Sequence, residues 1–326
     1  MSLTMLMAQT REGLTEYKLD NGLTVMLWED HDQPDVTGYV AVRAGAMDEP
    51  AEYTGLAHYL EHMLFKGTQK IGALDWEKEK PYYEEIIRLY DEYAETTDEA
   101  KRAELTTKIN EASIEAAKYA TVEDFFVLLD GIGATGVNAG TSYDMTVYYN
   151  SFPAASMYKW LTIFSDRMID PVYRTFQAEL ENVFEEYNMY EDNPNTHVRK
   201  ELMSKLYAGH PYERDVIGLP EHLKNPRLSK LIEFYNTWYV PNNMALIIVG
   251  DFDAEATKPM IEETFGRLQY KELPERPTYP KTSFAGNPKH KFKVGYYPMH
   301  VLVYDGVENT HEDQLALHFT LSLLNN

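Results

Sequence analysis

Gly55-Leu56-Ala57-His58-Tyr59-Leu60-Glu61-His62-Met63-Leu64-Phe65-Lys66-Gly67-Thr68 is the stretch on which the architecture turns. Thr54 to Phe65 has helical spacing, and Lys66 and Gly67 follow as a basic residue and a glycine where a helix ends. At about 100° per residue, Leu56, Tyr59, Leu60 and Met63 share one face of that helix, and His58, Glu61 and His62 project from the opposite one. One face is made for a core and the other for chemistry. Histidines four apart stand one turn above the other, the spacing that lets two imidazoles take neighbouring vertices of a zinc tetrahedron, with Glu61 between them near enough to reach a metal-held water. With ten histidines in the chain, chance produces H-x-x-E-H only on the order of a few per cent of the time.

Working outward, Tyr17 to Leu27 alternates apolar and polar residues around Asn21-Gly22, which predicts an opening β-hairpin. Val36 to Ala44 is strand-like, Val137 to Asn150 has strand density, and the apolar run Met244 to Val249 before Gly250 predicts a buried strand. Met157 to Met168 and Gln177 to Tyr190 have helical spacing. Trp76 to Lys118 predicts a charged helical hairpin with Ile86, Tyr90 and Tyr93 on one arm and Leu105, Ile109 and Ala112 on the other, restarted by a capping box at Thr96 and Glu99. Such a pair ordinarily covers a surface. Strands and helices in separate runs indicate an α+β fold. Leu273 to Pro288, rich in Pro, Lys and Gly, has the composition of a linker, and Phe292 to Asn326 offers a strand or two and one helix, too little for a domain.

The chain has 326 residues, 30 basic against 52 acidic, a net charge of −22 and no cysteine. Disulfides, thiolate nucleophiles and cysteine zinc sites are excluded, so a metal must rest on His, Asp or Glu. The acidic balance argues against nucleic acid or an anionic membrane as partner. No run reaches the roughly 18–20 apolar residues of a membrane span. Met1 to Thr10 is too short for a signal peptide; it fits either the trimmed end of an export signal, with Ala8 near a cleavage site, or a plain disordered terminus.

Gly131-Ile132-Gly133-Ala134-Thr135-Gly136 matches G-x-G-x-x-G, but a dinucleotide site needs a strand before it and a helix after it, and here a strand-like run follows. A turn is expected. For a third metal ligand, Glu179 and Glu186 are seven apart on the helix Gln177 to Tyr190 and share a face at the border of Leu180, Val183, Phe184 and Tyr187, whereas Glu181 and Glu185 point further toward solvent. Spacing alone leaves Glu186 as ligand and a merely acidic amphipathic helix equally open.

The motif and its flanks resemble the pitrilysin, insulin-degrading enzyme and mitochondrial processing peptidase family of inverted zinc peptidases. The likeness runs from the Asn21-Gly22 hairpin through Gly55 to Thr68, Asn138-Ala139, Glu179 to Tyr187, Met189 to Pro194, His210-Pro211-Tyr212, Gly218 and Tyr239 to Met244, ending at Val249-Gly250-Asp251-Phe252. It implies a mostly antiparallel sheet flanked by helices, in an α/β roll. It also implies Zn2+ on His58, His62 and Glu186, Glu61 as general base, Glu179 behind the ligands, and Asn138 and Ala139 on a substrate-binding edge strand.

The expected activity is zinc-dependent endopeptidase hydrolysis of peptides or unfolded segments. The expected domains are 11–275 as the peptidase unit, with the helical hairpin of about 76–118 inserted, a linker over 276–291, and the start of a truncated second homologous domain over 292–326. A missing C-terminal domain or a partner subunit would close the chamber, so this chain should bind zinc and cleave poorly. The expected compartment is periplasmic or secreted, with cytoplasm as the alternative. The rival from another class is a non-catalytic scaffolding subunit of a peptidase complex. A zinc hydrolase of small molecules is a third, and it predicts a closed pocket where the peptidase predicts an open edge strand beside the metal.

Overall fold

The computed structural model describes residues 13–279, 289–291, 293, 298, 300–304, 306–308 and 310–324. The Met1 to Thr10 segment therefore lies outside the described residues, as does most of the second half of the expected linker. Two strands, β1 (Leu14–Lys18) and β2 (Thr24–Glu29), pair antiparallel across the Asn21-Gly22 turn. Gly22 takes a left-handed φ of 89° there, which costs glycine nothing. The Asn21 side chain accepts from the Leu23 N–H and donates to the Phe265 and Leu268 carbonyls.

Four more strands complete one sheet: β3 (Val36–Val42), β4 (Thr135–Thr141), β5 (Thr146–Phe152) and β6 (Met244–Gly250). Their order is β1-β2-β6-β3-β5-β4, and every neighbouring pair is antiparallel except β2 with β6. In β3, β5 and β6 buried residues alternate with half-buried ones, the period of a strand with one face on a core. The run Val137 to Asn150, expected as strand with Asn138 and Ala139 on an edge, is a hairpin in which β4 is the edge and β5 lies inside. Residues 142–145 reverse the chain between them.

The helices are α1 (Leu56–Met63), α2 (Trp76–Glu95), α3 (Glu99–Ala116), α4 (Asp124–Gly131), α5 (Met157–Arg167), α6 (Phe176–Glu191), α7 (Pro194–Leu206), α8 (Pro220–Leu223), α9 (Leu228–Trp238), α10 (Ala254–Phe265) and α11 (Gln314–Leu324). The Gly131 to Gly136 segment is the turn from α4 into β4, the reverse of the strand-to-helix order that a dinucleotide site requires. Trp160 of α5 lies flat on the sheet, stacked on Phe152 at 4.8 Å and donating to Asn150 Oδ1 at 2.9 Å. It fits because Gly38 has no side chain, and a Cβ there would run into the indole ring.

The expected helical hairpin is α2 and α3, and their apolar stripes Ile86, Leu89, Tyr90 and Leu105, Ile109, Ala112 are buried. The Thr96 and Glu99 capping box does not form. Thr96 closes α2 in an extended conformation, and the Asp98 carboxylate caps α3 by accepting from the Lys101 N–H at 3.0 Å; a carboxylate next to the first turn is the stronger cap. The hairpin is fastened to the body rather than merely laid over it. Arg174 donates to both Glu79 oxygens and to the carbonyls of Lys66, Thr68 and Ile71, and Tyr90 donates to Gln177 of α6.

Two units separate. The first holds the described residues up to Tyr190 with Arg214–Pro277, and so the whole sheet. The second holds Glu191–Glu213 and those from Thr278 onward, with α7 and α11. Among its described residues beyond 289 there is a helix and no strand.

Candidate metal centre

Helix α1 begins at Gly55, whose φ of 87° is left-handed and whose missing side chain leaves room for the Ile217 carbonyl. No side chain of its own caps it. Glu49 does so from outside: its two oxygens accept from the Gly55 and Ala57 N–H groups at 2.9 and 2.8 Å, donors that the first turn of a helix otherwise leaves unpaired. Burial pushes this carboxyl up to about 8, while the two N–H donors and Arg214 pull it down.

The faces of α1 divide as the spacing predicts. Leu56, Tyr59, Leu60 and Met63 are buried in the core, and Tyr59 donates to the Phe176 carbonyl at the start of α6. His58 and His62 are half-buried, with ring centroids 4.8 Å apart at 74°. Glu61 is more enclosed than a solvent-facing position would be, because Thr141 of β4 donates to its Oε2 at 2.5 Å.

On α6, Glu179 and Glu186 both face α1, while Glu181 and Glu185 are exposed as expected. Glu186 Oε2 lies 3.6 Å from His58 Nε2 and 3.6 Å from His62 Nε2, and donor atoms of these three residues all fall within 4.8 Å of one another. At 3.6 Å these are not hydrogen bonds. Ligands about 2.0–2.2 Å from a tetrahedral zinc would be roughly 3.3–3.6 Å apart, so the spacing and the two-nitrogen, one-oxygen donor set fit that ion.

Electrostatics sort the two histidines. Burial, reinforced by the charge of His62, lowers His58 to about 4 and so keeps it neutral, the state a ligand needs. Its Nδ1 is buried without a hydrogen-bond partner. His62 Nδ1 faces Glu179 Oε1 at 2.8 Å. Burial works against a charged His62, but the Glu179 bond and the charges of Glu61, Glu179 and Glu186 outweigh it and raise its pKa. Burial likewise opposes ionisation of Glu179, yet the bonds from His62 and Lys66 hold it down at about 2. Lys66 pairs with Glu179 Oε2. Burial raises Glu61, partly offset by the Thr141 bond and by His62.

Asn138 and Ala139 are on β4, the outer strand, paired with Tyr149 and Tyr148 of β5. The Ala139 N–H donates to the Asn138 side chain at 2.9 Å. Three contributors escape the sequence reading: Glu49, Thr141 and the role of Lys66. Lys66 lies beyond the last helical residue of α1, Met63, so the helical period does not point to it. Glu49 and Thr141 arrive through tertiary contacts and carry no local signal.

The sequence model of the insulinase family, peptidase family M16, matches residues 24–79 and 112–219, and that of the peptidase M16 inactive domain matches 227–326. Among curated relatives, the probable zinc protease PqqL of Escherichia coli is 25% identical over 277 residues, 82% of this chain and 25% of PqqL. The uncharacterized zinc protease YmfH of Bacillus subtilis is 33% identical over 140 residues, 42% of this chain and 32% of YmfH. A solved protease from Helicobacter pylori superposes with a TM-score of 0.62 at 21% identity, over 81% of this chain and 52% of that one. Pitrilysin gives 0.61 at 21% identity, over 83% and 24%. The chain thus spans from about a quarter to about half of each of these four proteins. His58, Glu61, His62, Glu179 and Glu186 all fall inside the insulinase-model match, and 80–111, most of the α2–α3 hairpin, falls between its two segments. The fold and both sequence models make this chain a member of the insulinase family, peptidase family M16.

Proposed function

We propose that this chain is the zinc-binding part of a metallopeptidase that hydrolyses peptides or unfolded polypeptide segments. The observation that carries the proposal is the convergence of His58 Nε2, His62 Nε2 and Glu186 Oε2, with Glu61 alongside and an open sheet edge next to it. His58, His62 and Glu186 would hold the ion, which when bound supplies a Lewis acid that activates water and polarises a carbonyl.

The remaining work falls to the chain. Glu61 is the general base: Thr141 occupies its Oε2, leaving Oε1 to take a proton from the attacking water and return it to the leaving amine. Its raised pKa brings it closer to the working range of such a base. Glu179 and Lys66 fix the His62 ring, so that Nδ1 is the donor to the carboxylate and Nε2 is free for the metal. Substrate would lie extended along β4 by strand addition, with its peptide groups replacing the Asn138 side chain on the Ala139 N–H. An edge strand suits a polypeptide better than a closed pocket for small molecules.

In this account 11–275 is the peptidase unit, the hairpin of about 76–118 is an insertion that leaves the site in register, and 292–326 opens a second homologous domain. PqqL is described as a periplasmic protease, and we assign this chain to the periplasm as well. Among the described residues no helix is long and apolar enough to cross a membrane. The test is hydrolysis of an unfolded polypeptide by the zinc-loaded chain. Glu61→Gln should lower turnover by roughly 10²–10⁴-fold at unchanged zinc content, and undiminished turnover would remove Glu61 from the mechanism.

A further inference from the structure

Helix α6 works on two sides. Glu179 and Glu186 turn toward His58 and His62, whereas Gln177 and Glu181, about 200° further round, turn toward the α2–α3 hairpin. Between α6 and the hairpin lie two cavities of about 350 and 460 Å³, both bounded by Tyr90, Asn110, Gln177 and Glu181. Each lies in the volume range of sites that take small molecules.

The inner cavity has aromatic and aliphatic walls, including Tyr83, Ile86, Tyr173 and Phe176. Tyr173 is buried, and its hydroxyl has no hydrogen-bond partner. The Glu79–Arg174 pair at the same wall offers nothing further, because the Arg174 donors are taken by Glu79 and three carbonyls. Lys224, at the outer end, lies over the Phe184 ring. At the junction, Tyr90 donates to Gln177 Oε1 at 3.0 Å and Gln177 donates to Glu181 Oε1 at 3.2 Å. That chain ends on a carboxylate whose second oxygen is open to an incoming donor.

We propose that this cleft is a binding site for a small aromatic amine, its ring against the tyrosine-lined inner wall and its ammonium group on Glu181. A flat apolar body is what the walls accept, and a positive group is what the acidic junction selects. The site is separate from the metal centre but shares α6 with it, so an occupant is placed to press on the helix that carries Glu179 and Glu186.

The experiment uses the metal-free full chain, so that its outcome does not depend on the zinc proposal, and isothermal titration with tryptamine and with indole-3-acetate. Tryptamine should bind at least about tenfold more tightly, since the two differ mainly in the sign of the charge that meets Glu181. Glu181→Gln should erase most of that preference. Ala117→Trp, at an exposed wall position, should abolish binding of both with the melting temperature unchanged. No binding of tryptamine would overturn the proposal, as would equal binding of the two probes or binding indifferent to both substitutions. If Ala117→Trp impaired folding, the Glu181→Gln preference would decide alone.

Discussion

In the proposed zinc site Glu179 would support the metal indirectly, through His62, and replacing it isolates that part. Its Oε1 accepts from His62 Nδ1 at 2.8 Å and its Oε2 pairs with Lys66. A hydrogen bond to a charged partner contributes about 1.5–3 kcal/mol and a neutral one about 0.5–1.5. Glu179→Gln keeps an oxygen for the His62 N–H but loses the charge, a loss of about 1–1.5 kcal/mol, or roughly tenfold in zinc affinity. Glu179→Ala leaves His62 Nδ1 and Lys66 without an acceptor, and about a hundredfold is expected, the upper end for groups that orient metal ligands. The assay is competition with a chelator of known affinity, with circular dichroism to confirm folding. Unchanged zinc affinity in a folded Glu179→Ala variant would refute the reasoning, since His62 would then need no anchor.

Two further predictions concern pH. His58 is lowered to about 4 and is already neutral near neutrality, whereas His62 is raised; protons therefore compete with zinc chiefly at His62. Affinity should fall roughly tenfold per pH unit below the His62 pKa, a slope that chelator competition at several pH values measures; a flat profile through that range would contradict it. Glu49 has a folded pKa of about 8 against an ordinary value of 4.5. A raised folded pKa means its contribution to stability is complete below the unfolded value and is lost as pH rises through about 8. Thermal denaturation from about pH 5 to about pH 9 should show a decline that Glu49→Gln flattens, and an equal decline in the variant would mean the group titrates elsewhere.

The elements that could be read from sequence are those whose signal is local. The helix carrying His58, Glu61 and His62 shows its two faces in the 3.6-residue period. The α2–α3 hairpin shows its stripes in the same way, and the run Met244 to Val249 shows a strand by length and flanks. What was missed depends on long-range contact. Nothing near Met244 tells that β6 pairs parallel with β2 in mid-sheet, and strand density over Val137 to Asn150 hides the reversal at 142–145 that makes only β4 an edge. The cap on α3 is Asp98 rather than Thr96 because two residues of shift move a stronger acceptor into place. At the site, spacing alone leaves Glu186 open, because a seven-residue interval suits an acidic amphipathic helix as well as a ligand. The α6 register that brings it to 3.6 Å from both histidines is set by distant anchors, among them the Tyr59 bond to the Phe176 carbonyl.

The most direct test of the central claim is zinc content per chain after dialysis, measured for the wild type and Glu186→Gln side by side. One zinc per wild-type chain is expected, and its loss, or a weakening of at least about tenfold, in the variant. A folded wild type that retains no zinc would contradict the metallopeptidase proposal and favour a scaffolding role for this fold.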